Sequence, residues 1–418
     1  MTGTERREAW VPVLYLWGAF FLAYVGRQAI FSTFPLLRRQ LGFSEVELGL
    51  TSTVFLWTYA LANPVAGRLS DLFSKKRLIV LSVALTGLCT IMLGTAGSVR
   101  SVLAWRAILA VVQALYVPAA VALIAEWHSE ASRSKAMSLH GTAQFTGVVV
   151  GGWYGGLAES LGWRWMLWML AAAGLAYTAV LWTALRERSG GSASLRAAAA
   201  GAPRYRALLT LTFVAYCTVF VVICAMIWAL YTWLPDLLRA RFNLSLATAG
   251  WVGTVYFQAA MVAGLFCGAP AGDALAKRTR RGRLYVMVVG LALASPFFYL
   301  VARSDSLGRA KAAAVGFGLF LGLFNSNFLA SLVEIVPENT RGFAVGFCNM
   351  LGALAGGVSA FAIGALKARL PVESLFQFGA LAGVGAAALL LVVLWRFFPA
   401  DYRRAHPELS GSAAPASG

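Results

Sequence analysis

The sequence predicts an all-α membrane protein: twelve transmembrane helices in two pseudo-symmetric six-helix bundles. Three observations lead there. Of 418 residues, 59% are hydrophobic and 12% charged, where soluble domains carry about 25% charged residues. Twelve apolar runs of about 20 residues or more recur, each able to cross the hydrocarbon as a helix at 1.5 Å per residue. One long polar connector, RERSGGSASLRAAAAGAPRYR at 186–206, divides them six and six.

The helices are expected at about 11–37, 45–70, 78–97, 101–127, 135–159, 163–185, 207–234, 245–271, 283–303, 310–334, 341–367 and 373–398. This gives an N-terminal bundle over 1–188, a cytoplasmic linker over 189–205, a C-terminal bundle over 206–398 and a disordered tail over 399–418, rich in Ser, Ala and Gly. The start, MTGTERREAW, lacks an A-x-A-like cleavage site, so the first helix is expected to stay. Five cysteines (Cys89, Cys217, Cys224, Cys267, Cys348) fall in apolar runs without metal or redox spacing and read as packing residues.

Loop charge sets the expected orientation. Of 35 Lys and Arg, 22 fall in one set of loops and 11 in the opposite set. The positive-inside rule then places both termini in the cytoplasm, and a cell (inner) membrane location follows. The same rule accounts for the net charge of +18 without nucleic acid as a partner.

The halves repeat. LLRRQLGFS at 36–44 and LLRARFNLS at 237–245 each lead into a helix opened by serine, Ser44 and Ser245. Asp71 with Lys75 and Lys76 recurs as Asp273 with Lys277 and Arg278, and Glu126…Arg133 recurs as Glu334…Arg341. Two halves with a site at their interface is a secondary-transporter architecture.

Two arginines lie at membrane depth: Arg27 in the first run and Arg106 in the fourth. A charge there costs roughly 3 kcal/mol by insertion scales. With no acid in these runs to neutralise them, the missing counter-charge is expected to arrive as substrate. Gln113 lies seven residues after Arg106, on the same helix face, and Pro118 is expected to bend that helix. Tyr24 and Phe31 flank Arg27 at helical spacing. Helix five carries His140, read as a satisfied interfacial histidine, then Gln144 one turn deeper and glycines 147, 151, 152, 155 and 156 for tight packing. The second half offers neutral polar groups, of which Tyr231, Asn325 and Asn349 are the candidate ligand contacts.

GRLSDLFSKKR at 67–77 resembles the signature between helices two and three of the major facilitator superfamily. Gly67, Leu69, Asp71, Lys75 and Lys76 match; Leu72 and Ser74 depart from it. The resemblance implies a cytoplasmic latch that breaks as the halves rock. Gly67 would permit close helix contact, Asp71 would meet a helix N-terminus, and Lys75, Lys76, Arg77, Glu126, Arg133, Asp273, Lys277, Glu334 and Arg341 would supply its charges. Within the superfamily, the arginines in helices one and four resemble the anion:cation symporter family, which moves sugar acids and other organic anions. The acids expected of that family beside Arg27 and seven residues after Arg106 are Gly26 and Gln113 here. Glutamine cannot titrate, so exchange or facilitated movement is expected over proton symport. The lone helix-one arginine and Gln113 also resemble the organophosphate:phosphate antiporter family, but the basic residue that family carries in helix seven is Trp228 here. The expected protein is therefore a monomeric carrier of a small organic anion, in contact with the lipid bilayer. No nucleotide loop, metal cluster or nucleophile triad appears, so no cofactor and no enzymatic activity are expected. A non-transporting membrane sensor is the alternative from another class; Glu126 and Glu159 are displaced acids open to a coupling role.

Overall fold

Each apolar run forms helix, and three of them break where the sequence resists a continuous one. In the computed structural model, which describes residues 3–128, 130–187, 210–336 and 340–405, the helices are α1 (Gly3–Ser32), α2 (Phe34–Leu41), α3 (Glu45–Leu72), α4 (Lys75–Gly94), α5 (Val99–Ala114), α6 (Tyr116–Trp127), α7 (Glu130–Trp153), α8 (Gly155–Leu161), α9 (Trp163–Ala184), α10 (Leu211–Phe242), α11 (Leu246–Arg278), α12 (Gly282–Arg303), α13 (Leu307–Glu334), α14 (Arg341–Leu366), α15 (Val372–Arg396) and α16 (Phe398–Ala405). The first expected helix divides at Thr33, just before Pro35, and the fourth at Leu115, three residues before Pro118. A proline ring displaces the carbonyl four residues earlier, so each break falls on the N-terminal side of its proline. The fifth divides at Tyr154 within its glycine-rich stretch.

Among the described residues, ten helical stretches are long and apolar enough to cross a membrane; α3 and α7 are the more polar two of the expected twelve. Large apolar side chains face outward, among them Leu61 and Phe266, which are 69% and 77% exposed. Lipid tolerates that exposure, and water does not. Serines start helices as expected. Ser44 makes a full capping box with Glu47 at the head of α3, and Ser245 Oγ accepts from the Thr248 amide at the head of α11.

By contacts the chain divides into two compact units. The first comprises 1–198, 228–255 and 356–369; in it α1 packs along α7, α4 along α9 and α3 along α5. Gly151 touches α1 so closely that a Cβ there would lie 2.6 Å from the Val25 carbonyl oxygen. Gly152 meets α11 in the same way, 2.6 Å from Thr254 Oγ1. The second unit comprises 199–227, 256–355 and 370–418, with α12 packed on both α13 and α15.

Two corrections follow. Residues 399–405, expected to be disordered, belong to a helix: α16 continues to Ala405 and is fixed by Asp401, whose Oδ2 accepts from Thr212 Oγ1 at 2.6 Å. That partner is 189 residues away, out of reach of local reading. The linker at 189–205 and the rest of the tail, 406–418, lie outside the described residues. Gly67 makes no close helix contact among the described residues, where a Cβ would meet nothing within 4 Å.

Candidate functional site

Within the first unit, α1, α3 and α5 bring two guanidinium groups to one phenylalanine. Arg27 is 6% exposed and Arg106 1%. Arg27 Nε–H donates to Gln113 Oε1 at 2.7 Å. Its guanidinium carbon lies 4.6 Å from the Tyr24 ring centroid, 4.8 Å from Tyr59 and 5.0 Å from Phe55. Arg106 Nε–H donates to the Thr51 carbonyl at 3.1 Å, its Nη1 is buried with no hydrogen-bond partner among the described residues, and its guanidinium carbon lies 4.6 Å from the same Phe55 ring. Aromatic faces offset part of the burial cost of a cation, about 0.5–2 kcal/mol each. Among the described residues neither arginine forms an ion pair with a carboxylate. The site is therefore a pair of desolvated cations held by rings, an amide and a carbonyl.

A cavity of about 40 Å³ adjoins Arg27 and Gln113, edged by Ser82, Thr86 and Thr90 on one face of α4. It has room for a water, not a metabolite. Tyr231 is buried, stacks edge-on against Trp228 at 5.6 Å, and its carbonyl accepts from Gln28 Nε2 at 3.1 Å. Gln144 is half-buried on α7, one turn before Gly147, which packs against Tyr24. Asn325, with its Nδ2 3.9 Å from Met261 Sδ, and exposed Asn349 belong to the second unit. His140 stacks on Phe20 at 4.6 Å, with Nε2 3.1 Å from Tyr116 Oη. Tyr116 gives its own proton to the Leu16 carbonyl at 2.5 Å, so the His140 Nε2–H is the donor. Glu159 accepts from the Leu246 amide at 2.9 Å, where a carboxylate meets the N-terminal dipole of α11.

At the Lys75 end of the first unit, Lys75 Nζ pairs with buried Glu126 at 2.7 Å, and Glu187 accepts from Ser74 Oγ and the Lys75 amide. Lys76 lies 5.8 Å from the Trp182 ring centroid; Asp71 and Arg77 are exposed. Arg133 Nη2 donates to the Ala125 and His128 carbonyls at the end of α6. The second unit repeats this arrangement. Arg283 pairs with both Glu334 and Asp273, and Arg341 Nε donates to the Val333 carbonyl at the end of α13. The counterpart of Lys75 is therefore Arg283, 208 residues later, rather than exposed Lys277; 208 is also the offset between Glu126 and Glu334 and between Arg133 and Arg341.

Sequence reasoning missed a cluster at the opposite end of the first unit. Arg38 on α2 donates to Glu45 Oε1 at 2.8 Å and to Asp236 Oδ2 at 3.1 Å. Lys367, just after α14, reaches Asp236 Oδ2 at 2.9 Å and Glu45 Oε2 at 3.1 Å. Burial alone would lower the Arg38 pKa; Asp236 and then Glu45 outweigh it and leave the guanidinium above its ordinary value. Asp236→Asn is expected to strip both cations of a shared partner that is 7% exposed. Partly exposed partners put the cost near 2 kcal/mol. The melting temperature in detergent should fall, whereas Asp305→Asn, which breaks an Arg309 pair with both side chains about 70% exposed, should leave it unchanged. Equal melting of the two variants would show that the cluster holds nothing.

The family model for the Major Facilitator Superfamily matches residues 16–360 and again 241–417. The chain belongs to that superfamily. As a superfamily member it is a multi-pass membrane protein. It is 28% identical over 399 residues to the probable sulfoacetate transporter SauU of Cupriavidus necator, covering 89% of this chain and 91% of the relative. It is 26% identical over 371 residues to the voltage-gated purine nucleotide uniporter SLC17A9 of Mus musculus, covering 84% and 80%. Among solved structures, a bacterial homologue of the human lysosomal transporter Spinster aligns over all of both chains with a TM-score of 0.76 at 18% identity, a likeness of fold.

Proposed function

We propose that this superfamily member carries a small organic anion, a carboxylate or sugar acid, across the cell membrane by alternating access. The observation that carries the reading is the pair of buried, acid-free guanidiniums of Arg27 and Arg106 around Phe55. Guanidinium forks suit carboxylate, sulfonate and phosphate groups. The relative named for sulfoacetate supports the same ligand chemistry. Arg27 and Arg106 bind the anion, Gln113 and Tyr24 orient Arg27, and Gln144 and Tyr231 supply further polar contacts. Two six-helix bundles, 1–188 and 206–398, rock about the site, with both termini in the cytoplasm and the chain acting as a monomer. The charged clusters around Lys75–Glu126, Arg283–Glu334 and Arg38–Asp236 act as gating contacts. Transport, not catalysis, is the activity.

Gln113 occupies the hydrogen-bonding place beside Arg27 without being able to carry a proton, so movement is by exchange or down a gradient. Proteoliposomes preloaded with the transported anion should take up labelled anion at a rate indifferent to an imposed pH gradient. Uptake driven by that gradient with no internal anion would overturn the coupling mode. The relative named as a nucleotide uniporter favours a second reading, a phosphate-bearing anion. Competition by phosphate esters in the same vesicles separates the two.

A further inference from the structure

We infer that the site selects dianions over monoanions and that Arg106 is the residue that sets the preference; the inference rests on the reading that this site binds an anion. The two guanidinium carbons lie 5.0 and 4.6 Å from one ring centroid, so they are no more than 9.6 Å apart. Each has its Nε–H committed to a neutral acceptor, Gln113 for Arg27 and Thr51 for Arg106. Neither acceptor cancels charge. The terminal amino groups of Arg27 lie outside its Gln113 bond, and Arg106 Nη1 is buried with no partner among the described residues. A buried donor without an acceptor is costly, and more so on a cation. Two unneutralised charges within 10 Å also repel each other in a medium of low dielectric.

A monoanion satisfies one fork and leaves the second cation desolvated. A short-chain ligand with an anionic group at each end answers both forks and cancels the full charge. Its ends need not be alike, since a guanidinium fork accepts carboxylate, sulfonate or phosphate oxygens. Phe55, 1% exposed and touching both cations, spaces the two subsites from the protein side. Arg27 is the general anion anchor, caged by three rings. Arg106 is the specificity residue, because its unspent donor has no acceptor among the described residues.

The test is binding to the full-length protein in detergent at pH 7.5, with succinate compared with monomethyl succinate, and malonate with propionate. These pairs hold chain length and change charge. Wild type should bind each dianion at least tenfold more tightly than its partner. In Arg106→Gln the ratio should fall towards one; Arg106→Lys, which keeps charge and loses the fork, should lie between. Equal affinity for both members of each pair in wild type overturns the inference while leaving the anion reading intact. A ratio that persists in Arg106→Gln overturns the role of Arg106. If none of the four ligands, nor sulfoacetate, shifts the protein, the anion reading falls, and the inference with it. Wild-type selectivity alone decides the first point, so a variant that fails to fold does not shield the proposal.

Discussion

Replacing Gln113 with glutamate is expected to make transport respond to a pH gradient that the wild-type protein ignores. Gln113 Oε1 sits 2.7 Å from Arg27 Nε, so the introduced carboxylate would form a buried ion pair with the anion anchor. Ionised, it competes with the incoming anion for the Arg27 fork, and affinity should fall about tenfold, the 1.4 kcal/mol scale of one charge-assisted hydrogen bond. Protonated, it resembles the native amide and affinity should recover. Anion binding then favours proton uptake at this position, which is the linkage that symport needs. The sign is definite: the variant binds better as pH falls, and an inward proton gradient accelerates its uptake. The measurement is paired, Kd against pH in detergent and flux with and without a gradient in vesicles. A variant with wild-type pH behaviour in both would show that Gln113 does not face the bound anion.

Arg27→Ala is expected to remove most of the ligand-induced stabilisation. A ligand at 100 times its Kd raises stability by about 2.7 kcal/mol. Removing one member of a buried, charge-assisted contact costs about 2–5 kcal/mol of binding. A 2 kcal/mol loss leaves about 0.9 kcal/mol of that stabilisation and a 5 kcal/mol loss leaves about none, so a thermal shift measured at that ligand concentration should shrink to about a third or less, and uptake should fall at least tenfold. Arg27→Lys should recover only part of both, because an ammonium lacks the planar fork that stacks among Tyr24, Phe55 and Tyr59. Full ligand response in Arg27→Ala would make the arginine a structural cation and return the search for the site to the second unit.

Several features were legible because they depend on the chain near them. A charge inside an apolar run announces itself whatever the fold, so Arg27 and Arg106 stand out in one dimension. Helix starts at Ser44 and Ser245 follow from capping chemistry within three residues. The repeat of Glu126…Arg133 as Glu334…Arg341 survives as matching helix-end contacts to the Ala125 and Val333 carbonyls. Pro118 gave the bend in the fourth helix, and the same chemistry at Pro35, unread in the sequence, ends α1 at Ser32.

The sequence alone thus determined the class of the protein, the rhythm of its helices and the two arginines, since hydrophobic length, proline and capping are local. Tertiary structure decided what those residues touch. Gln113 is 86 residues from Arg27, Asp236 is 198 from Arg38 and Lys367 is 322 from Glu45. Loop arginines and lysines look alike to a topology rule, and only folding distinguishes Arg38 and Lys367, bound into a four-charge cluster, from Arg309, paired on an exposed surface. Charge pairing depends on distance and dielectric, and both are set by how helices pack rather than by the order in which residues are joined.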